Sequence, residues 1–259
     1  MTDRTADLNA IYPDLERRSV LISGGATGIG LSLVESFARQ GARTAFVDID
    51  IDAGRALEAR LNAEGRQVLF RPCDVTDMSG YQRTIHELAE HIGPITVLLN
   101  NAANDVRHTL DELSYERFDE LIGVNLKHQM FAAQAVVPMM RQAGRGSIVN
   151  FGSVGWMMAS PGYPVYAASK AAVHGMTRGL ARDLGGDGIR VNTLVPGWVM
   201  TDKQLQLWVD DKARELIKRS QCLPGPLLPE HIAQMALFLA SDASAMCTAQ
   251  NFIVDGGWV

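Results

Sequence analysis

The sequence predicts a single α/β domain, residues 1–259, built on a doubly wound parallel sheet of about seven strands with helices on both faces. Two observations carry this. Short apolar, β-branched runs alternate with longer amphipathic stretches from residue 19 to residue 254, so that each strand is followed by a helix. Buried strands joined by helices through short connections close as right-handed βαβ units. The second observation is a glycine-rich turn between the first strand and the first helix, with no low-complexity linker or repeat further along to divide the chain.

The elements follow in order. "SVLIS" (19–23) is a short apolar run of strand length. A helix over about 29–40 comes after the glycine turn and ends at Gly41, the residue type that best tolerates a helix C-terminus. "RTAFVD" (43–48) is the second strand, 51–64 a helix, "QVLF" (67–70) a strand, 77–92 a helix and "ITVLLN" (95–100) a strand. A long helical segment over 114–142 leads to "GSIVNF" (146–151), a helix over 164–184 and "IRVNTLV" (189–195). A last helix near 229–240 precedes "NFIV" (251–254). The exception to the rhythm is 198–226, a polar helical insertion after a strand, with prolines at 224, 226 and 229. At the carboxyl end of a strand it is placed to cover a ligand as a substrate lid, the alternative being a solvated surface hairpin.

Composition bounds the class. With 47% hydrophobic and 20% charged residues, 259 residues bury a substantial core. A formal net charge of -5 with interspersed signs offers no basic stripe for phosphates, so no nucleic-acid partner is expected. Cys73, Cys222 and Cys247 stand far apart, without a CxxC pair, and read as reduced thiols in a cytoplasmic protein. The histidines form no ligand cluster, with His86, His91, His174 and His231 on helical patterns, so no metal is expected. Neither a signal peptide nor a membrane span is legible.

"SGGATGIG" places glycines at 24, 25, 28 and 30. The spacing is G-x-x-x-G-x-G, and no Lys-Ser/Thr follows, which excludes a Walker phosphate loop. A pyrophosphate would sit at the helix N-terminus, where unpaired amides and the helix dipole favour an anion. Asp48 ends the second strand, where a carboxylate accepts the hydroxyls of an adenosine ribose; the alternative is that it caps the next helix. Neither Thr27 nor Ile49 is basic, and a carboxylate repels a 2′-phosphate, so NAD is expected over NADP.

"SPGYPVYAASKAA" (160–172) sets Tyr166 four residues before Lys170. On a helix those positions share a face, so phenol and ammonium are neighbours. A cation beside a phenol favours the phenolate, which is a base for an alcohol proton.

With Gly24, Gly28 and Gly30, "CDVTD" (73–77), "NNAA" (100–103), Asn125 in "VNLKH", Ser153 in "NFGSVGW", Tyr166, Lys170 and "VPGWVMTD" (195–202), the chain resembles the short-chain dehydrogenase/reductase family, over essentially its whole length. It is similar, within that family, to bacterial aldose 1-dehydrogenases of the D-xylose dehydrogenase type. "AIYPDLERRSVLISGGATGIG", "NDVRH", "VNFGSVGW", "QCLPG" and "FIVDGGW" carry that likeness. The resemblance implies a Rossmann-like fold and a catalytic tetrad of Asn125, Ser153, Tyr166 and Lys170. In it Lys170 tunes Tyr166 and holds the nicotinamide ribose, Ser153 holds the reacting oxygen, and Asn125 places a water that links Lys170 to solvent. It implies cofactor contacts at Gly24, Thr27, Gly28, Ile29, Gly30 and Asp48, adenine contacts at Asp74 and Val75, Asn101 along the cofactor channel, and Pro196, Val199 and Thr201 at the carboxamide end. Two departures stand out: Ala103 replaces a glycine near the nicotinamide, and "TAQ" (248–250) replaces Thr-Gly-Gln.

The aldose likeness implies oxidation of a sugar's ring C1 hydroxyl to a lactone, with NAD reduced. Candidate substrate contacts are Asn104, Arg107 and His108 after the fourth strand, Ser153 and Trp156 after the fifth, Tyr166, and Gln204 or Trp208 from the insertion. Two alternatives stay open: oxidation of a secondary alcohol on a sugar acid or polyol, for which Arg107 is the one hint, and a non-catalytic NAD-binding sensor. Apolar residues on two helices, Phe131, Val136, Met139, Met140, Ala171 and Met176, suggest pairing between subunits, and the resemblance implies a homotetramer.

Overall fold

The computed structural model describes residues 10–259; the first nine residues of the expected domain lie outside the described residues. A parallel seven-stranded sheet forms from β1 (Ser19–Ser23), β2 (Arg43–Asp48), β3 (Val68–Pro72), β4 (Val97–Asn100), β5 (Gly146–Phe151), β6 (Ile189–Pro196) and β7 (Asn251–Val254). Its order is β3-β2-β1-β4-β5-β6-β7. The connecting helices are α1 (Gly28–Arg39), α2 (Ile51–Ala63), α3 (Met78–Ile92), α4 (Tyr115–Ile122), α5 (His128–Ala143), α6 (Pro164–Leu184), α7 (Asp202–Leu207), α8 (Asp211–Ser220) and α9 (Pro229–Ala240).

The sheet is a partition between two cores, which is why its central strands are apolar on both sides. On one face Leu33, Val34 and Phe37 of α1 pack with Ile232, Ala236 and Leu239 of α9 against Val20 and Leu99. On the other, Ile85 and Leu88 of α3 and Val136 and Met140 of α5 pack against Leu21, Leu98 and Ile148. Val136 and Met140 therefore fill the chain's own core, and the sequence reading that offered them to a partner subunit is corrected.

Two boundaries also change. The expected continuous helix over 114–142 is α4 and α5 joined by a π-helical turn, Gly123–Lys127, and such a bulge commonly marks a functional position. The insertion after β6 is two short helices, capped by Thr201 at Gln204 N and by Asp210 at Ala213 N. A parallel bridge between Val199 and Leu227 ties its two ends together, so it is not a free hairpin.

Strand order reverses between β1 and β4, the point at which open α/β sheets leave a crevice at the strands' carboxyl ends. There the register aligns Ser23 with Val47 and with Asn100, and Asn100 with Asn150. The glycine turn, "NNAA" and the segment carrying Ser153 are thereby brought to one edge.

Candidate active site

The glycine turn fits a dinucleotide. Thr27 occupies the N-cap of α1 without making a side-chain capping bond, which leaves the helix end open to an anion. Gly28 has φ +56°, and a Cβ there would approach Thr201 Cγ2 to 3.3 Å, closing the gap between α1 and the segment after β6. A Cβ on Gly30 would collide with the Gly24 carbonyl, so α1 sits directly on the turn. Asn101 locks the turn from the β4 side, its Nδ2 donating to the carbonyls of Ser23 at 3.1 Å and Gly24 at 2.8 Å.

Asp48 is part of the same assembly. Its Oδ2 accepts from Ala26 N at 2.9 Å and its Oδ1 from Asp50 N at 3.0 Å. The cap of α2 is Asp50, which accepts from Ala53 N, so Asp48 is no helix cap and is aimed at the glycine turn instead. After β3, Asp74 Oδ1 accepts from the backbone and hydroxyl of Thr76, while Val75 is buried under the sheet edge.

Ser153, Tyr166 and Lys170 meet in one cavity wall at the carboxyl end of β5, while Asn125 does not line it. Pro164 at the first turn of α6 starts the helix, and Tyr166 and Lys170 fall on one face of it. Thr177, two turns further on, accepts from Asn150 Nδ2 at 3.0 Å and pairs with Thr193 Oγ1 at 2.9 Å, which fixes α6 on β5 and β6. Lys170 Nζ donates to the Phe151 carbonyl at 2.8 Å and lies 5.6 Å from the centre of the Tyr166 ring. Tyr163 packs edge-on against Tyr166 with ring centres 5.2 Å apart.

Burial reshapes the electrostatics expected from sequence. Lys170 is only 1% exposed, and desolvation pulls its ammonium down to about 7, against the pull of Asp105. It is therefore not a permanent cation in the cofactor-free protein. Burial likewise pushes the Tyr166 phenol up; Ser153 and Arg107 draw it back, while Asp105 and Tyr163 push it further up. Desolvation is the largest influence on the phenol, against the lowering expected from sequence. His128, which the sequence reading passed over, is fully buried and driven down to about 3, first by desolvation and then by Lys170, so it is neutral.

Asn125 braces a neighbouring loop. It sits on the π-turn with its side chain committed to the β4 loop: Oδ1 accepts from Asn104 N and Nδ2 donates to Asn104 O, both at 2.9 Å. Its carbonyl accepts from Gln129 Nε2 at 3.1 Å. The side chain thus holds the β4 loop.

A cavity of about 410 Å³ opens over these groups, with Ile29, Asn101, Ser153, Tyr166, Lys170, Pro196, Val199 and Thr201 in its wall. Arg107 and Gln204 line it as expected. Asn104 does not, being paired with Asn125, and His108 is buried with Nδ1 turned to the Val106 carbonyl. Trp156 packs edge-on against His174 outside the wall, ring centres 5.2 Å apart. Trp208 does not line the cavity, and the Arg107 guanidinium lies 4.9 Å from its ring and 4.0 Å from that of Tyr163. The wall further includes Asp105, Tyr163 and Trp198, which the sequence reading did not select. The signal for Asp105 was present, since it lies inside "NDVRH". No group of metal-ligating side chains occurs among the described residues, and none of their helices is long and apolar enough to cross a membrane.

The depressed ammonium has a stability consequence. Between about pH 7 and 10.5 the unfolded chain carries a proton on Lys170 that the folded chain lacks. Bound protons favour the unfolded state there, so this contribution to stability rises with pH across the window. Denaturant unfolding of the cofactor-free protein at several pH values should show wild type gaining on Lys170→Met from pH 7 upward. A constant difference would contradict the burial of that charge.

Comparison with known proteins places this geometry. The family model described as enoyl-(acyl carrier protein) reductase matches residues 24–259. The chain is 42% identical over 250 residues to D-xylose 1-dehydrogenase of Caulobacter vibrioides, covering 96% of this chain and 99% of that one. It is 42% identical over 247 residues to the probable galactose dehydrogenase of Rhizobium meliloti, covering 95% and 96%. Among solved structures, a gluconate 5-dehydrogenase from Burkholderia cenocepacia in complex with NADP and tartrate superposes with a TM-score of 0.88 at 31% identity, covering 95% of this chain and 97% of that one.

Proposed function

Because the chain belongs to the short-chain dehydrogenase/reductase family and is a dehydrogenase of CH–OH groups, we propose that it oxidises an aldose at the ring C1 hydroxyl to the lactone, with NAD as the oxidant. The observation that carries this reading is one cavity wall that holds Tyr166, Ser153 and Lys170 beside the glycine turn. Relatives named for xylose and galactose support a sugar over other alcohols.

A bound nicotinamide dinucleotide supplies the hydride acceptor. Gly24, Thr27, Gly28, Ile29 and Gly30 hold its pyrophosphate, Asp48 its ribose hydroxyls, Asp74 and Val75 its adenine, and Asn101, Pro196, Val199 and Thr201 line its nicotinamide end. Tyr166 takes the proton of the substrate hydroxyl as general base. Ser153 donates to the same oxygen as carbonyl character grows. Lys170 holds the nicotinamide ribose and returns the proton toward solvent, and Asn125 keeps the β4 loop in register by its paired bonds to Asn104. In this reading the protein is a cytoplasmic homotetramer with no resident metal. Phe118 on α4 and Met130 on α5, both exposed, are available for subunit contacts.

Asp48 supports NAD over NADP because a carboxylate that accepted the ribose hydroxyls would repel a 2′-phosphate. Like charges forced together cost several kcal/mol, so the preference in kcat/KM is expected to reach about a hundredfold. The test is production of reduced nicotinamide with a panel of pentoses, hexoses, alditols and sugar acids, run with each dinucleotide, on wild type and Asp48→Ser. Oxidation of an aldose with NAD, and a preference that shrinks in Asp48→Ser, are the expected results. Turnover of secondary alcohols but of no aldose would move the reaction to the other class, and no turnover of any alcohol would leave a nucleotide-binding sensor.

A further inference from the structure

We propose that Asp105 is the specificity-determining residue of the site, accepting hydroxyl hydrogens of a neutral sugar and turning away sugar acids. The inference rests on the sugar-oxidation reading and says which sugars enter.

Asp105 follows Asn104, whose backbone is pinned by both side-chain atoms of Asn125, so its place in the cavity wall is set from the catalytic turn. Across the cleft, two residues of α7 hold it. Lys203 Nζ donates to Oδ1 at 2.6 Å and Gln204 Nε2 to Oδ2 at 2.9 Å. Gln204 is oriented in turn, its Oε1 accepting from Trp198 Nε1 at 3.0 Å. Burial pushes the Asp105 carboxyl up, but the bonds from Lys203 and Gln204 outweigh it and hold the group below the usual carboxylate range. It is therefore ionised at neutral pH.

A carboxylate has about four acceptor positions, and here the described partners take two. The others belong to a group whose side chain is 21% exposed and which lines the cavity. A sugar hydroxyl can donate to it. A sugar carboxylate has no hydrogen to give and is repelled. Lys203 offsets part of that charge, but its side chain is 53% exposed and does not line the cavity, so a ligand in the cavity meets Asp105 itself. Arg107, the other charged group in the wall, donates with Nη1 to the Pro161 carbonyl at 3.0 Å and lies against the rings of Tyr163 and Trp208, while its buried Nε has no partner among the described residues.

The experiment compares a neutral aldose with the matching uronic acid, at saturating NAD, in wild type, Asp105→Asn and Asp105→Ala. A hydrogen bond to a charged acceptor is worth roughly tenfold to a hundredfold in binding, so KM for the aldose should rise by that factor and the aldose-to-uronate ratio should fall. The groups facing the Tyr166 phenol are Ser153, Lys170, Tyr163, Arg107 and Asp105. Asp105 pushes the phenol up, so Asp105→Asn should also move the rising limb of kcat/KM to lower pH. A mere latch between loop and α7 would weaken both substrates equally and leave that limb in place, which would overturn the assignment. Equilibrium binding to the unaltered protein loaded with NADH needs no variant to fold. An alditol should bind at least tenfold tighter than the uronic acid, and equal binding would also overturn the assignment. Tight alditol binding without oxidation of any aldose would defeat the sugar-oxidation reading alone.

Discussion

Replacing Tyr166 by Phe is expected to lower kcat/KM for sugar oxidation by roughly a thousandfold, within the range by which general acid–base groups accelerate proton transfer. The substitution removes one oxygen and keeps the ring, so the edge-on packing against Tyr163 and the α6 turn that carries Lys170 persist. Thermal unfolding and binding of NADH should accordingly be close to wild type while turnover collapses. Retained turnover in Tyr166→Phe would mean that another group takes the proton.

The second large effect belongs to Ser153. Its hydroxyl faces the phenol and draws that group down, and in the proposed mechanism it donates to the oxygen that acquires carbonyl character. Loss of one such preorganised donor costs about a hundredfold to a thousandfold. Ser153→Ala should therefore cut kcat by that factor and also move the rising limb of the pH profile to higher pH, because a force lowering the phenol has been removed. The direction is opposite to that expected for Asp105→Asn, so the two variants bracket the phenol from either side. Steady-state rates across pH check both effects, and an unmoved limb in Ser153→Ala would separate the serine from the proton step. In the proposed mechanism Ser153 and Tyr166 act on one substrate oxygen, so the double variant should lose much less than the product of the two single losses.

Most of the scaffold was legible because its causes are local. β1, a five-residue run buried throughout, could only be an interior strand, and Gly41 and Gly144 punctuate helices where the chain must turn back. The break between α4 and α5 was not legible, since Gly123–Lys127 carries no proline and continues the helical pattern, and it widens where Asn125 bonds Asn104 across 21 residues. The same limit applies at the site. Spacing placed Tyr166 beside Lys170, but periodicity says nothing about how dry the surroundings are, and dryness decides both charges. Among substrate contacts, the stretch "NDVRH" was recognised, yet Asn104 turns its Oδ1 to Val106 N and His108 its Nδ1 to the Val106 carbonyl, while Asp105 lines the cavity. Which residue of a loop faces a cavity depends on bonds to distant elements, here α7 and the π-turn.

The central claim is that Tyr166 is a neutral phenol in the free protein and becomes a base when the cationic ring of the oxidised cofactor lies beside it. Ultraviolet difference titration of wild type against Tyr166→Phe measures this directly, without and with saturating NAD. The account predicts no Tyr166 ionisation below about pH 10 in the free protein, the ordinary phenol value, and one phenolate formed near neutrality once NAD is bound. A phenol that stays protonated past pH 10 with NAD in place would contradict it.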